Sequence, residues 1–179
     1  MTEYERNLPV HIAFGPEKVT NTLGEILSRE QKMQLRIAET EKYAHVTYFF
    51  NGGTEKAWPN EDRVLVPSPS VSRFDEAPEM SSAETTEKTV EAVRSGKYDF
   101  ILINYAGPDM VGHTGNEAAS IRAVEFTDEC LAKLIPAILE AGGSLFITAD
   151  HGNVEEVINL ETGEIDTEHS KNPVPLWFV

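Results

Sequence analysis

Three stretches of this chain bring acids and imidazoles together at spacings that suit chemistry. The first is Ile147-Thr148-Ala149-Asp150-His151-Gly152-Asn153. A short apolar run, residues 144–148, reads as a buried strand, and Asp150 and His151 stand at its C-terminal end. That edge of an open α/β sheet is where ligands bind. A carboxylate oxygen beside a neutral imidazole nitrogen suits a divalent metal, and Gly152 lets the backbone turn away without a Cβ. The same heptapeptide also fits a plain polar turn, with Asp150 capping and His151 in water. The second stretch, residues 104–115, follows another strand-like run and offers Asp109 and His113 four residues apart. A loop or a single helical turn brings that pair onto one ion. The third, residues 164–170, adds His169. Asp109, His113 and His169 make one oxygen–nitrogen–nitrogen set, and Asp150 with His151 begins another. Two neighbouring metals suit phosphoryl transfer, because each stabilises an attacking or leaving oxygen.

The segments Asp109-Met110-Val111-Gly112-His113-Thr114-Gly115, Ala149-Asp150-His151-Gly152-Asn153 and Thr167-Glu168-His169-Ser170-Lys171-Asn172-Pro173-Val174-Pro175 resemble the C-terminal half of cofactor-independent (2,3-bisphosphoglycerate-independent) phosphoglycerate mutase, of the alkaline-phosphatase superfamily. The likeness extends to residues 35–47, Phe50-Asn51-Gly52-Gly53 and Val66-Pro67-Ser68-Pro69. The Ala149–Asn153 element suggests only the superfamily. The run Arg36-Ile37-Ala38-Glu39-Thr40-Glu41-Lys42-Tyr43-Ala44-His45-Val46-Thr47 points to the mutase.

The resemblance implies an isomerase of glycolysis and gluconeogenesis that interconverts 3-phosphoglycerate and 2-phosphoglycerate through a phosphoserine. It implies two divalent ions, most often manganese. One takes Asp109, His113 and His169. The other takes Asp150 and His151 with an aspartate and the nucleophilic serine from a preceding part of the family protein. Lys42 becomes an active-site cation; from the residues alone it reads as a surface charge before an active-site one. His45 has no matching role and reads as structural. The 179 residues correspond to the C-terminal part of the phosphatase-like domain, without its N-terminal part and the inserted transferase domain. The chain by itself is therefore expected to be an incomplete catalyst. Rival readings are another metal-dependent phosphatase, sulfatase or phosphopentomutase of the superfamily, and a fragment that binds a partner and does no chemistry.

Composition sets outer limits. The chain has 179 residues, 40% hydrophobic and 25% charged, and a net charge of −15, a soluble balance with room for one core. The negative charge argues against nucleic acid, whose phosphates need Lys and Arg. It also disfavours an anionic substrate unless bound cations invert the field locally. The single cysteine, Cys130, has no internal disulfide partner, falls in a helical pattern as a buried thiol, and fits a cytoplasmic protein. No run reaches the roughly 20 apolar residues of a membrane span, and the first residues are not a signal peptide.

The elements that must position these groups alternate. Residues 1–9 read as a lead-in and 10–14 as a short strand. Helical spacing covers 21–32. Strands are predicted over 34–38 and, from Val-Thr-Tyr-Phe-Phe, over 46–50, with a turn or one helical turn at 40–44 between them. Residues 60–80 read as an extended loop in which only Val64-Leu65-Val66 is strand-like; Ser68, Ser70 and Ser72 there have no nearby base and are poor nucleophiles. A helix follows over 82–95, opened by a capping box at Ser82–Thr85 and facing inward at Val90 and Val93. Residues 98–104, apolar on both faces, suit a central parallel strand. The longest helix spans 117–141, with a potential kink at Pro136. Residues 153–166 form a hairpin-like excursion, and 173–179 a last strand that breaks off within its apolar run. This is an α/β alternation with a mostly parallel central sheet and helices on both faces, alkaline-phosphatase-like by the resemblance. An unpaired sheet edge would favour an edge-paired homodimer.

Overall fold

A computed structural model describes residues 19–179. The lead-in at 1–9 and the strand expected at 10–14 lie outside the described residues. The centre of the structure is a three-stranded parallel sheet in the order β2-β1-β3, formed by β1 (Gln34–Glu39), β2 (Glu61–Val66) and β3 (Phe100–Asn104). Gln34 pairs with Glu61 on one side and with Phe100 on the other. The three C-terminal ends therefore open on one edge.

All six residues of β1 are buried, although three of them are Gln34, Arg36 and Glu39. Side chains alternate across a strand, so each face carries polar groups that must be satisfied. On one face Gln34 Nε2 donates to the Gly24 carbonyl at 2.9 Å and its Oε1 accepts from Arg36 Nη2 at 2.5 Å. This ties the sheet to helix α1 (Leu23–Arg29), which Thr22 caps. Arg36 lies under Phe50 and Phe100, 4.5 and 5.2 Å from their ring centroids. Burial pulls its guanidinium down to about 10, against the charge of Glu61. Trp58 sits at this end of the sheet, its backbone N–H bonded to Glu61. On the other face Glu39 accepts from Ser68 Oγ at 3.0 Å and from the Ser81 N–H at 3.2 Å, where helix α3 (Ser82–Arg94) begins. Helices thus cover both faces, as the alternation predicts.

Several local expectations fail for identifiable reasons. The strand expected at 46–50 is a π-helical turn, His45–Phe49, continuing helix α2 (Thr40–Ala44). Thr47 Oγ1 bonds back to the Tyr43 carbonyl at 2.7 Å, and adjacent Val46 and Thr47 are both buried, which alternation forbids in a half-buried strand. β3 is an edge of this sheet rather than its centre, and the polar-looking β1 takes the middle. β2 starts at Glu61, because Glu61 is buried under Asn51 and Arg63. In α3 the N-cap is Ser81, without a side-chain cap bond. The buried face is Ser82, Thr85, Thr86 and Thr89, whose threonine hydroxyls return to the helix backbone, while Val90 and Val93 are only half-buried.

Helix α5 (Glu117–Glu140), capped by Asn116, runs through Pro136 without ending and buries Cys130. Its first turns pack Ala119 and Ala123 on Val111 of helix α4 (Gly107–Gly112), with Phe74 alongside. The buried parallel strand expected at 144–148 is instead β4 (Phe146–Thr148), which pairs antiparallel with β5 (Leu176–Phe178) in a separate ribbon. Phe146 and Phe178 stack with centroids 4.9 Å apart yet are each 67% exposed, and Trp177 is 57% exposed. The hairpin-like excursion is present: Ile158 bridges Ile165, and Asn159 N–H donates to Glu164 O at 2.9 Å. Among the described residues no helix is long and apolar enough to cross a membrane.

Candidate metal centre

Asp109 lies in the first turn of α4, just after Gly107 and Pro108, and His113 is the residue that caps its end. Four residues on a helix is just over one turn, so His113 Nε2 comes to 3.2 Å from Asp109 Oδ1. His169 enters from residues 167–172 and brings its Nε2 to 3.3 Å from the same oxygen and 3.1 Å from His113 Nε2. His151 follows β4. Its Nε2 is 3.9 Å from Asp109 Oδ1 and 3.7 Å from Asp150 Oδ2, and its ring stacks on His169 at 3.7 Å. Asp109, His151 and His169 each offer a donor atom within 4.8 Å of the others. Four of the five acids and imidazoles singled out from sequence, Asp109, His113, His151 and His169, therefore converge, and Asp150 lies beside His151. Asp150 is the outlying and most solvent-facing acid of the pair.

The donor set fits a metal ion by its proton positions. His113 Nδ1 lies 2.7 Å from the Thr167 carbonyl, and His151 Nδ1 lies 3.3 Å from that of Gly152. A carbonyl only accepts, so these Nδ1 atoms carry the protons and the Nε2 lone pairs point inward. Two imidazole lone pairs and a carboxylate oxygen 3.1–3.3 Å apart repel unless a cation or proton sits among them. Such separations match donors about 2.0–2.2 Å from one shared ion.

Lys42, in the turn after β1, is buried, and its Nζ donates to Asp109 Oδ2. Asn153 Nδ2 donates to Asp109 Oδ1 at 2.7 Å and to its carbonyl at 3.2 Å. Burial raises the Asp109 carboxyl; the bonds from Lys42 and Asn153 more than offset it and leave the group below the usual carboxylate range. Asn153 was not singled out from sequence, although it closes the Asp150–Asn153 motif; its place there was the signal. It comes close because Gly112 has no side chain: a Cβ there would stand 2.6 Å from Asn153 Oδ1. His45 packs on Phe49, and burial and the Lys42 charge hold its imidazole low, against Asp150 and Asp109. Ser68 spends its hydroxyl on Glu39 and Ser72 on Glu76. Arg73, Phe74, Met110, His113 and Thr114 line an open cleft of about 420 Å³ beside the centre.

The parallel-sheet edge and the neighbouring ribbon together bring a carboxylate, three imidazoles and a buried lysine to one place, a donor set of the metal-dependent class. The chain belongs to the metalloenzyme superfamily, whose family model matches residues 8–179. Among curated relatives it is 55% identical over 179 residues to the 2,3-bisphosphoglycerate-independent phosphoglycerate mutase of Francisella tularensis subsp. novicida, and 56% identical over 180 residues to that of Clostridioides difficile. Each alignment covers 100% of this chain and 35% of the relative, so the chain spans about a third of their length. Its structure is similar to a crystal structure of Leishmania mexicana phosphoglycerate mutase at low cobalt concentration. The TM-score is 0.87 at 37% identity, over 92% of this chain and 32% of that one. The fold is alkaline-phosphatase-like α/β.

Proposed function

We propose that these residues are the metal-bearing part of a cofactor-independent phosphoglycerate mutase, an isomerase interconverting 3-phosphoglycerate and 2-phosphoglycerate through a phosphoserine. The observation that carries the reading is the meeting of Asp109 Oδ1, His113 Nε2 and His169 Nε2 at 3.1–3.3 Å, in a chain more than half identical to such mutases along its whole length. In this reading the 179 residues are the C-terminal part of the phosphatase-like domain. The nucleophilic serine and the groups that grip the glycerate belong to the part of the relatives this chain does not span.

Two divalent ions, manganese in our assignment, would lower the pKa of an oxygen nucleophile and offset charge on the phosphoryl oxygens. Asp109, His113 and His169 hold one; Asp150 and His151 contribute to the other. Lys42, bonded to Asp109, supplies a fixed cation for a phosphoryl oxygen. These charges matter in a chain of net charge −15, whose wider field repels phosphoglycerate. That field also supports the absence of a nucleic-acid partner. The lone buried cysteine and the glycolytic substrate support a cytoplasmic location. Among the described residues the outer edge of β3 has no partner strand, and this supports edge pairing of the chain with a second copy when it is studied alone.

The reading is tested by grafting residues 1–179 in place of the matching segment of a relative. Interconversion of the two phosphoglycerates is expected, and loss of it in the graft carrying Asp109→Asn and His113→Ala. A folded, metal-binding graft that only hydrolyses phosphate esters would instead favour a superfamily phosphatase.

A further inference from the structure

The donors of the centre stand on unequal supports. Asp109 and His113 ride on α4, which is packed against α5. His151 and His169 stand on irregular segments that follow β4 and precede β5. Ligands on loops keep their positions only if something fixes one loop to the other. Next to the two histidines, between residues 149–153 and 167–172, the backbone bridge is Ser170 N–H to the Gly152 carbonyl at 3.0 Å.

Glu155 supplies the rest. Its Oε2 accepts from the Asn153 N–H at 2.8 Å. Its Oε1 accepts from Ser170 Oγ and from Asn172 Nδ2, the latter at 3.1 Å, and Glu156 Oε2 takes the same Asn172 amide at 2.9 Å. One carboxylate thus joins the residue two beyond His151 to the residue next to His169. Asn153 carries the connection on to Asp109 through its side-chain amide. Gly152 lies at the crossing: a Cβ built there would overlap both Ser170 Oγ and Glu155 Oε1. Its φ is not positive, so the need for glycine there is space for these two groups. Glu155 itself is exposed, so its side chain adds little to the core and its bonds are what it contributes.

We infer that Glu155 is a positioning residue of the metal centre, latching the segment that bears His151 to the segment that bears His169 so that both imidazoles are presented to the ion. The inference rests on the reading of Asp109, His113, His151 and His169 as metal donors. A carboxylate is required because donors arrive at both oxygens; a glutamine would turn its NH₂ group toward one of them.

The test is a cobalt titration of the full chain, read by calorimetry and by the visible absorption of bound cobalt, whose intensity follows coordination geometry. Glu155→Ala is expected to weaken cobalt binding by about 10–100-fold, the range for outer-shell partners, and to change the absorption at saturation. Glu155→Gln should fall between. Gly152→Ala should act in the same direction, and the double variant Gly152→Ala/Glu155→Ala should cost less than the two singles combined, because both open one latch. If Glu155→Ala proves too unstable to purify, Ser170→Ala removes one bond and should give a smaller loss of the same kind. Unchanged affinity and spectrum in Glu155→Ala or in Ser170→Ala would overturn the latch while leaving the donors in place. Failure of the unaltered chain to bind cobalt would overturn the donor reading, and the latch with it.

Discussion

The β2-β1-β3 sheet and the β4–β5 ribbon each deliver part of one centre, by opposite means. The sheet presents Lys42 and Asp109 from elements seated on a strand with no exposed residue. The ribbon presents Asp150 and His151 from a strand pair whose large side chains face outward. In the sheet, position follows from burial: displacing Asp109 means disturbing α4, the turns of α5 packed on it and the bond to buried Lys42. In the ribbon, position follows from hydrogen bonds among Asn153, Glu155, Ser170 and Asn172. Precision at a site therefore does not require a buried scaffold on every side. It requires that each donor be over-determined by some set of contacts.

The largest expected effect would break the comparison at the point where the two regions meet. Asp109→Asn with His113→Ala should abolish metal binding at the site they share with His169, since those residues supply two of its three donors; calorimetric titration with manganese reads it. Survival of that binding would mean that His151, His169 and Asp150 suffice, and that the ribbon carries the site alone. Next come the scaffolds. Ile37→Ala, in fully buried β1, should cost about 2–5 kcal/mol in denaturant unfolding, whereas Phe178→Ala in the ribbon should cost about 1 kcal/mol or less. Equal costs would show that the ribbon is as much a core as the sheet.

A smaller effect sharpens the link between the two. Asn153→Ala removes the ribbon's bond to Asp109 and should weaken metal binding about tenfold. In the metal-free chain it should also raise the Asp109 carboxyl, which Asn153 helps hold low. A depressed carboxyl contributes stability that is present above its unfolded value of 3.8 and lost as pH falls through the folded value. The acid unfolding midpoint of Asn153→Ala should accordingly move up. The smallest effect lies wholly within the sheet. Burial raises the Glu39 carboxyl, against its bonds from Ser68 and Ser81. A carboxyl raised on folding favours the protonated native state, so stability falls as pH rises from the unfolded value of 4.5 through the folded one. Glu39→Gln should flatten that slope in thermal unfolding measured across the mildly acidic range; an unchanged slope would mean that Glu39 does not titrate there.

The candidate donors were legible because Asp109, His113, Asp150 and His151 came after strand-like runs, because His169 lay near the last strand, and because the separation of Asp109 and His113 matches one helical turn. The alternation of elements was legible as well. The interior of the sheet was not. Gln34, Arg36 and Glu39 look like surface residues until Gly24, Phe50, Phe100, Ser68 and Ser81 are seen to satisfy them. Residues 46–50 have the composition of a strand, and only the Thr47 bond to Tyr43 and the joint burial of Val46 and Thr47 place them in a helical turn. Residues 144–148 look like a buried strand because apolar runs usually are; their exposure depends on what lies beside β4, which composition does not encode. Glu155 escaped notice since an acid two residues past a motif carries no periodic signal.

The two tryptophans divide along the same line. Trp58 is half-buried at the sheet end near Arg36 and Glu61, and Trp177 stands exposed on β5 opposite Ile147. Each region therefore contains its own intrinsic fluorophore. Trp58→Phe leaves an emitter that is wet and open to iodide quenching, and Trp177→Phe leaves a shielded one. Loosening of the ribbon and melting of the sheet can then be followed as two separate optical signals from the native sequence, without an attached dye.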